Sequence, residues 1–227
     1  MKPDPEPRPA GSPAFRLVTY FRSSASYRVR IALNLKGLAY EPVYRHLRHD
    51  EHLAPDHLSL NPEGLVPVLQ HGDVTLTQSL AIIEYLDELH PVPRLLPSHP
   101  ALRAQARALA LSVACEIHAP TNLRIVRYLK TALGRDQEAV VAWSRHWMEV
   151  GFAGLEARAV ALSGDGHHLV GDSVTIADVC LVPQMYNARR QQVDLRPFPT
   201  LVAISTFLES LPAFAAAAPE AQPDCDI

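Results

Sequence analysis

Residues 90–100 carry Pro91, Pro93, Pro97 and Pro100. Each proline fixes φ near −65° and removes a backbone donor, so neither a helix nor a sheet ladder continues through a stretch this rich in them. The segment therefore divides the 227-residue chain. A linker over 91–99 separates one unit over 16–90 from a second over 100–227, each of ordinary domain size. A proline-rich tail, 1–15, precedes both; residues 1–13 hold proline and charge and lack the apolar run of a secretory signal.

The two sides differ in periodicity. Ahead of the linker, 15–20 is a short β-rich run, and Ser23-Ser24-Ala25-Ser26 is a cluster of helix N-cap residues. Tyr27, Ile31 and Leu35, spaced i, i+4, i+8, predict a helix over 24–36 that stops at Gly37. A strand over 40–44 follows, then a short helix or irregular turn over 52–60. Strands over 66–70 and 74–76 flank a hairpin turn at His71-Gly72-Asp73, and 78–89 is an amphipathic helix. This β-α-β-(α)-β-β-α order predicts an α/β, thioredoxin-like domain with a mixed sheet. Beyond the linker only helical patterns occur, over 101–129, 136–162, 175–190 and 199–218. The second unit is expected to be an all-α helical bundle.

Composition excludes several classes of function. Apolar residues are 48% and charged residues 20%, ordinary values for a globular chain, and the net charge is −3. Such a chain is a poor non-specific binder of nucleic acid or membrane surfaces, and it has no apolar run of membrane-spanning length. Cys115, Cys180 and Cys225 are far apart and form no Cys-x-x-Cys pair. They read as reduced thiols of a cytoplasmic protein. His46, His49, His52 and His57 lie near one another and His167-His168 are adjacent, but neither set has zinc-site spacing. No metal is expected. The phosphate-loop, dinucleotide-binding, nucleophile-elbow and zinc-protease motifs are absent.

Three loops carry the chemistry. At Arg22-Ser23-Ser24, hydroxyls meet the positive end and free amides of a helix N-terminus, a place suited to a thiolate. Plain N-capping by Ser23 or Ser24 is the competing reading. At Val66-Pro67, a cis bond would turn the Val66 amide and carbonyl outward to pair with an extended peptide. At Gln78-Ser79, a second helix N-terminus suits a carboxylate. Glutathione, a tripeptide with a thiol, a backbone and a γ-glutamyl carboxylate, needs all three.

The run from Ser23 to Leu33, SSASYRVRIAL, resembles the opening motif of zeta-class glutathione transferases, which include the maleylacetoacetate and maleylpyruvate isomerases. Asn61-Pro62, Leu65-Val66-Pro67, the run QSLAIIEYL from Gln78, Thr175-Ile176-Ala177-Asp178 and Gln222-Pro223-Asp224 match the same family. The resemblance spans about 17–224. It implies the glutathione transferase architecture, a homodimer and glutathione as cofactor. It further implies reversible thiolate addition to the double bond of a small dicarboxylate substrate, maleylacetoacetate or maleylpyruvate. Conjugation or dehalogenation of small electrophiles, and non-catalytic glutathione binding, are the alternatives.

By resemblance, Ser23 bonds the glutathione sulfur as the catalytic hydroxyl, with Ser24 as the other candidate and Ser26 as a further donor. His52, Val66, Gln78, Ser79, His118 and Asn122 contact glutathione. Arg22, Arg124 and Arg190 bind substrate carboxylates. One position departs: the family carries cysteine or threonine where this chain has Ala25, which offers neither thiol nor hydroxyl.

The remaining features read as structural. Arg28 and Arg30 point to different faces of one helix, Arg28 toward the site and Arg30 into an ion pair. Thr175-x-x-Asp178 is a capping box. Trp143 and Trp147, one turn apart, read as core.

Overall fold

The structure, a computed structural model, describes residues 14–226. The expected tail lies mostly outside them, and its boundary at 15 moves back, because Phe15 already belongs to the first strand. That strand, β1 (Phe15–Thr19), pairs in parallel with β2 (Tyr40–Tyr44) and antiparallel with β3 (Val68–His71). β3 pairs antiparallel with β4 (Val74–Thr77), giving the order β2-β1-β3-β4. α1 (Ser24–Leu35) crosses between β1 and β2, the short α2 (Pro55–Leu60) precedes β3, and α3 (Ser79–Leu89) follows β4. This is the mixed thioredoxin-like sheet expected from the sequence. The third strand starts two residues later than expected, since Pro67 has no N–H for the ladder. α1 is buried from Ser26 through Leu33, well beyond its predicted stripe, because α3, α7 and α9 pack around it.

The second part is helical throughout: α4 (Pro100–Leu111), α5 (Leu123–Thr131), α6 (Gln137–Leu162), α7 (Ile176–Arg190), α8 (Pro199–Glu209) and α9 (Pro212–Ala215). The single helix expected over 101–129 is four pieces. α4 widens into a π-helical turn at Ser112–His118, then a 3₁₀ turn at Ala119–Thr121 leads to α5. Pro120 cannot continue an α-helix, and the Thr121 hydroxyl takes up the Ile117 carbonyl (2.8 Å) there. The helix expected over 199–218 likewise breaks, before Pro212. Trp143 and Trp147 are half-buried rather than core. They meet edge-to-face at 5.6 Å, and Trp143 Nε1 donates to Pro120 O (2.8 Å), pinning the turn. The capping box is present: Asp178 Oδ2 accepts from Thr175 N (2.8 Å), and Oδ1 reaches Leu169 N (2.8 Å).

Leu33, Leu86, Leu109 and Val179 belong to one buried apolar cluster, so the sheet and the helices share a core. The proline-rich segment is fastened to it by a buried ion pair. Lys36 Nζ donates to Asp87 Oδ1 (2.7 Å), His90 O (2.7 Å) and Pro93 O (2.6 Å). Asp87 in turn accepts from Leu95 N (2.7 Å) and Leu96 N (3.2 Å). Removing one partner of such a pair strands the other charge, at a cost of about 3–5 kcal/mol. Asp87→Ala should lower stability by that amount in urea denaturation. A loss within experimental error would show that the Asp87–Lys36 pair does not anchor the segment.

Candidate active site

The loop between β1 and α1 is set by Arg30, which is fully buried. Its Nε donates to Ala217 O (3.0 Å), Nη1 to Thr19 Oγ1 (3.2 Å) and Tyr20 O (3.2 Å), and Nη2 to Phe21 O (2.8 Å). The ion pair expected of Arg30 is therefore replaced by four uncharged acceptors, all oxygens the loop and the C-terminal segment must satisfy anyway. Burial lowers its pKa to about 10, so it stays charged at neutrality. Asp224 Oδ2 completes the loop by accepting from Phe21 N (2.9 Å).

Held this way, Ser23 N-caps α1, its Oγ accepting from Ser26 N (3.2 Å). A hydroxyl that accepts still has its own hydrogen to donate. Ser23, Ser24 and Ala25 line a cleft of about 940 Å³. Ser26 does not: its side chain is fully buried and its amide serves the cap. The expectation that Ser26 adds a further donor to the site is corrected, because its amide is taken by Ser23 Oγ and its side chain lies outside the cleft lining.

The second wall is the segment before β3. Asn61 Nδ2 donates to Leu65 O (2.9 Å), and His57 Nε2 lies 3.0 Å from the same oxygen. Gly64 has φ +60°, and a Cβ there would come within 2.9 Å of Leu53 Cδ2, so the loop packs tightly beside His52. The Val66–Pro67 bond is cis. Neither the amide nor the carbonyl of Val66 is hydrogen-bonded among the described residues. Next, Gln78 opens α3 with φ +66°, unusual for a non-glycine residue, and its Nε2 donates to Glu63 Oε2 (3.0 Å). Ser79 Oγ accepts from Arg28 Nη1 (3.3 Å).

The third wall is helical. The π-helical turn presents Cys115 and His118; α5 presents Asn122, Arg124, Arg127 and Lys130; α7 presents Asn187 and Arg190. Asn122 N-caps α5 through Arg124 N (3.2 Å). Arg127 bridges the cleft mouth, pairing with Asp50 and donating to Leu47 O (2.9 Å). Burial, then the neighbouring Arg28 cation, pushes the His118 pKa down to about 3, leaving it neutral. Burial also lowers that of His52.

Charge is the dominant property. Arg22, Arg28, Arg48, Arg124, Arg127, Arg190 and Lys130 line the cleft against a single carboxylate, Glu63. Among the described residues Arg190 bonds only Asn187 Oδ1 (2.8 Å), and desolvation and the like charges of Arg22 and Arg48 lower its pKa. Apart from Arg127, which Asp50 holds, these cations form no ion pair among the described residues. Among the described residues no group of three His, Cys, Asp or Glu side chains could hold a metal, and no helix is long and apolar enough to cross a membrane.

The structure thus brings together Ser23, Ser24, His52, Val66, Gln78, Ser79, His118, Asn122, Arg22, Arg124 and Arg190. Sequence reasoning did not single out Arg48, Arg127, Lys130 or Glu63. Nothing in their spacing marks them; Asp50 and Arg127 lie 77 residues apart.

Comparison with known proteins agrees with this geometry. The family described as glutathione S-transferase, N-terminal domain, matches residues 13–88. A probable maleylacetoacetate isomerase of Vibrio cholerae is 51% identical over 211 residues, 92% of this chain and 97% of that protein. A holo structure of maleyl pyruvate isomerase, a bacterial glutathione S-transferase in zeta class, superposes with TM-score 0.90 at 46% identity, covering 92% of this chain and 99% of that one. The chain belongs to the zeta-class glutathione transferase family. A third relative, maleylacetoacetate isomerase from Anaeromyxobacter dehalogenans, has dicarboxyethyl glutathione and citrate bound in its active site. It matches with TM-score 0.84 at 39% identity, covering 95% of this chain and 99% of that one.

The buried His52 and His57 and the half-buried His118 carry a pH signature. His118 has its pKa below the ordinary 6.5 in the folded state, so the unfolded chain binds the proton more readily. Stability is therefore fully present above about 6.5 and is lost as pH falls from there toward about 3. His52 and His57, lowered by burial, act in the same direction. His118→Gln should flatten the fall in urea midpoint between neutral pH and the acid side of this window. An unchanged slope would remove His118 from the account.

Proposed function

We propose that this protein is a glutathione-dependent cis–trans isomerase of a maleyl keto-diacid, maleylacetoacetate or maleylpyruvate, in the breakdown of aromatic compounds. The observation that carries the reading is a serine N-cap, Ser23, at the helix N-terminus that opens onto a cleft with seven cations and one carboxylate. Three features fit glutathione itself: the unbonded Val66 amide and carbonyl, the free amides at the start of α3, and the Ser79 hydroxyl. The ligand of the Anaeromyxobacter relative supports the chemistry. Dicarboxyethyl glutathione is what results when a thiol adds across the double bond of a four-carbon unsaturated diacid.

Glutathione, when bound, supplies the thiol that adds reversibly to the conjugated double bond, turning it into a single bond free to rotate. Ser23 donates to the sulfur and, with the N-terminal amides of α1, favours its thiolate form; Ser24 adds a second hydroxyl. Ala25 contributes no polar group, so the hydroxyl work falls to the serines. Val66 pairs with the cysteinyl backbone, and Gln78 and Ser79 hold the γ-glutamyl end. His52, Asn122 and a neutral His118 line the remainder without adding charge. Arg22, Arg124 and Arg190 hold the substrate carboxylates bidentately at separate points. The same cations stabilise negative charge as it builds on the substrate carbonyl oxygen.

In this reading 16–90 carries the cofactor, 100–227 carries the substrate, and 91–99 joins them. Leu102 and Leu111 on α4, 39% and 48% exposed, support a homodimer that covers this helix. Sedimentation at twice the 25.0 kDa chain mass would bear that out, and the single mass would exclude it. The three free thiols and net acidic charge support a cytoplasmic location.

The test is turnover of maleylpyruvate and maleylacetoacetate with substoichiometric glutathione. Ser23→Ala should lower kcat by about 10²-fold or more. Arg190→Met should raise KM for the diacid by about ten- to a hundredfold and leave glutathione affinity unchanged. Stoichiometric consumption of glutathione would refute the isomerase reading. Equal loss of activity on an uncharged electrophile in Arg190→Met would refute the carboxylate role of Arg190.

A further inference from the structure

Two arginines of α1 are buried, and they are treated differently. Arg30 is met by four oxygens. Among the described residues Arg28, 1% exposed, makes one hydrogen bond, to Ser79 Oγ at 3.3 Å, while its Nε and Nη2 meet no partner. Among the described residues no carboxylate pairs with it. Its electrostatic neighbours are the Cys180 and Cys115 thiols and His118; burial raises Cys180 to about 11 and holds His118 neutral. Burying a cation without a counter-charge is costly, and folds seldom keep one for packing alone.

Its single partner indicates what it serves. Arg28 has only donors, so Ser79 Oγ is the acceptor in their bond. The Ser79 hydroxyl hydrogen must then be given to another group. Ser79 is the first residue of α3, lines the cleft, and sits beside the unpaired amides at that helix start. A carboxylate placed there receives the hydroxyl and the amides together, with the buried guanidinium directly behind them.

We propose that Arg28 is a positioning residue for the cofactor: it fixes the Ser79 hydroxyl as a donor toward the cleft, and the γ-glutamyl carboxylate of glutathione becomes its counter-charge across Ser79. This rests on the glutathione reading above. It explains why the chain keeps a guanidinium there with two unbonded nitrogens. It also gives Arg28 a role distinct from the one proposed for Arg22, Arg124 and Arg190.

The test is calorimetric titration of the intact protein with glutathione and with 4-aminobutanoyl-cysteinylglycine, which keeps the amine, thiol and glycine but lacks the γ-glutamyl carboxylate. Wild-type protein should prefer glutathione by about ten- to a hundredfold. In Arg28→Met that preference should collapse toward unity, with affinity for the truncated peptide unchanged. Arg28→Lys, which keeps the charge, should restore part of it. Ser79→Ala, a small change at the helix start, should also lose most of the preference and gives the same reading if Arg28→Met fails to fold. Full preference in Arg28→Met or in Ser79→Ala, or equal weakening of both peptides, would overturn the inference alone. A wild-type protein that binds neither peptide would overturn the glutathione reading and this one with it.

Discussion

The site depends first on one buried guanidinium. Arg30 gathers the oxygens of Thr19, Tyr20, Phe21 and Ala217, which lie at the end of β1, in the following loop and near the C-terminus. These oxygens belong to segments almost two hundred residues apart in sequence, and one guanidinium supplies a donor to each. The loop they fix ends at Ser23, so the direction of α1 and of its N-terminal amides follows from this contact. Asp224 adds the complementary half by accepting from Phe21 N. A motif that begins at residue 23 is therefore shaped by residues beyond 215.

Two kinds of chemistry then share one cleft without interfering. The serine N-cap and the start of α3 offer hydroxyls and backbone amides, which hold anions without carrying formal charge. The arginines and Lys130 offer formal charge on long side chains from several elements. His118 stays neutral between them, since burial and Arg28 both oppose its protonation. The π-helical turn brings His118 and Cys115 to this wall, and the 3₁₀ turn at Pro120 and the cap at Asn122 follow it before α5 begins.

Much of this was legible in the sequence. The prolines of 90–100, the N-cap serines and the hairpin turn act over a few residues, and their effects on the backbone are local; the strand and helix order followed from them. The three loops of the site were legible for the same reason. Ser26 was misplaced because a run of serines at a helix start does not say which one caps and which turns inward. The break at 112–121 was missed because its apolar spacing is helical throughout and outweighed the one local signal, Pro120, to whose carbonyl Trp143 Nε1 donates. Arg48, Arg127 and Glu63 reach the cleft through tertiary folding alone. Arg30's oxygens likewise leave no trace in local pattern, so an ion pair was the natural expectation for it.

The crowding of cations into one cleft gives the whole molecule a lopsided field. The chain carries a net charge of −3, yet its cleft presents seven cations and one carboxylate, so the remaining surface is more acidic than the total suggests. Small anions are repelled by most of that surface and drawn along field lines into the opening. Capture is then governed by ionic strength, since a Debye length of about 8 Å at physiological salt shortens the reach of the cleft. Encounter rates with dianionic ligands fall as salt is added, while dissociation, set by contacts inside the cleft, changes far less. An overall acidic protein thus behaves, to a small anion, as a basic one.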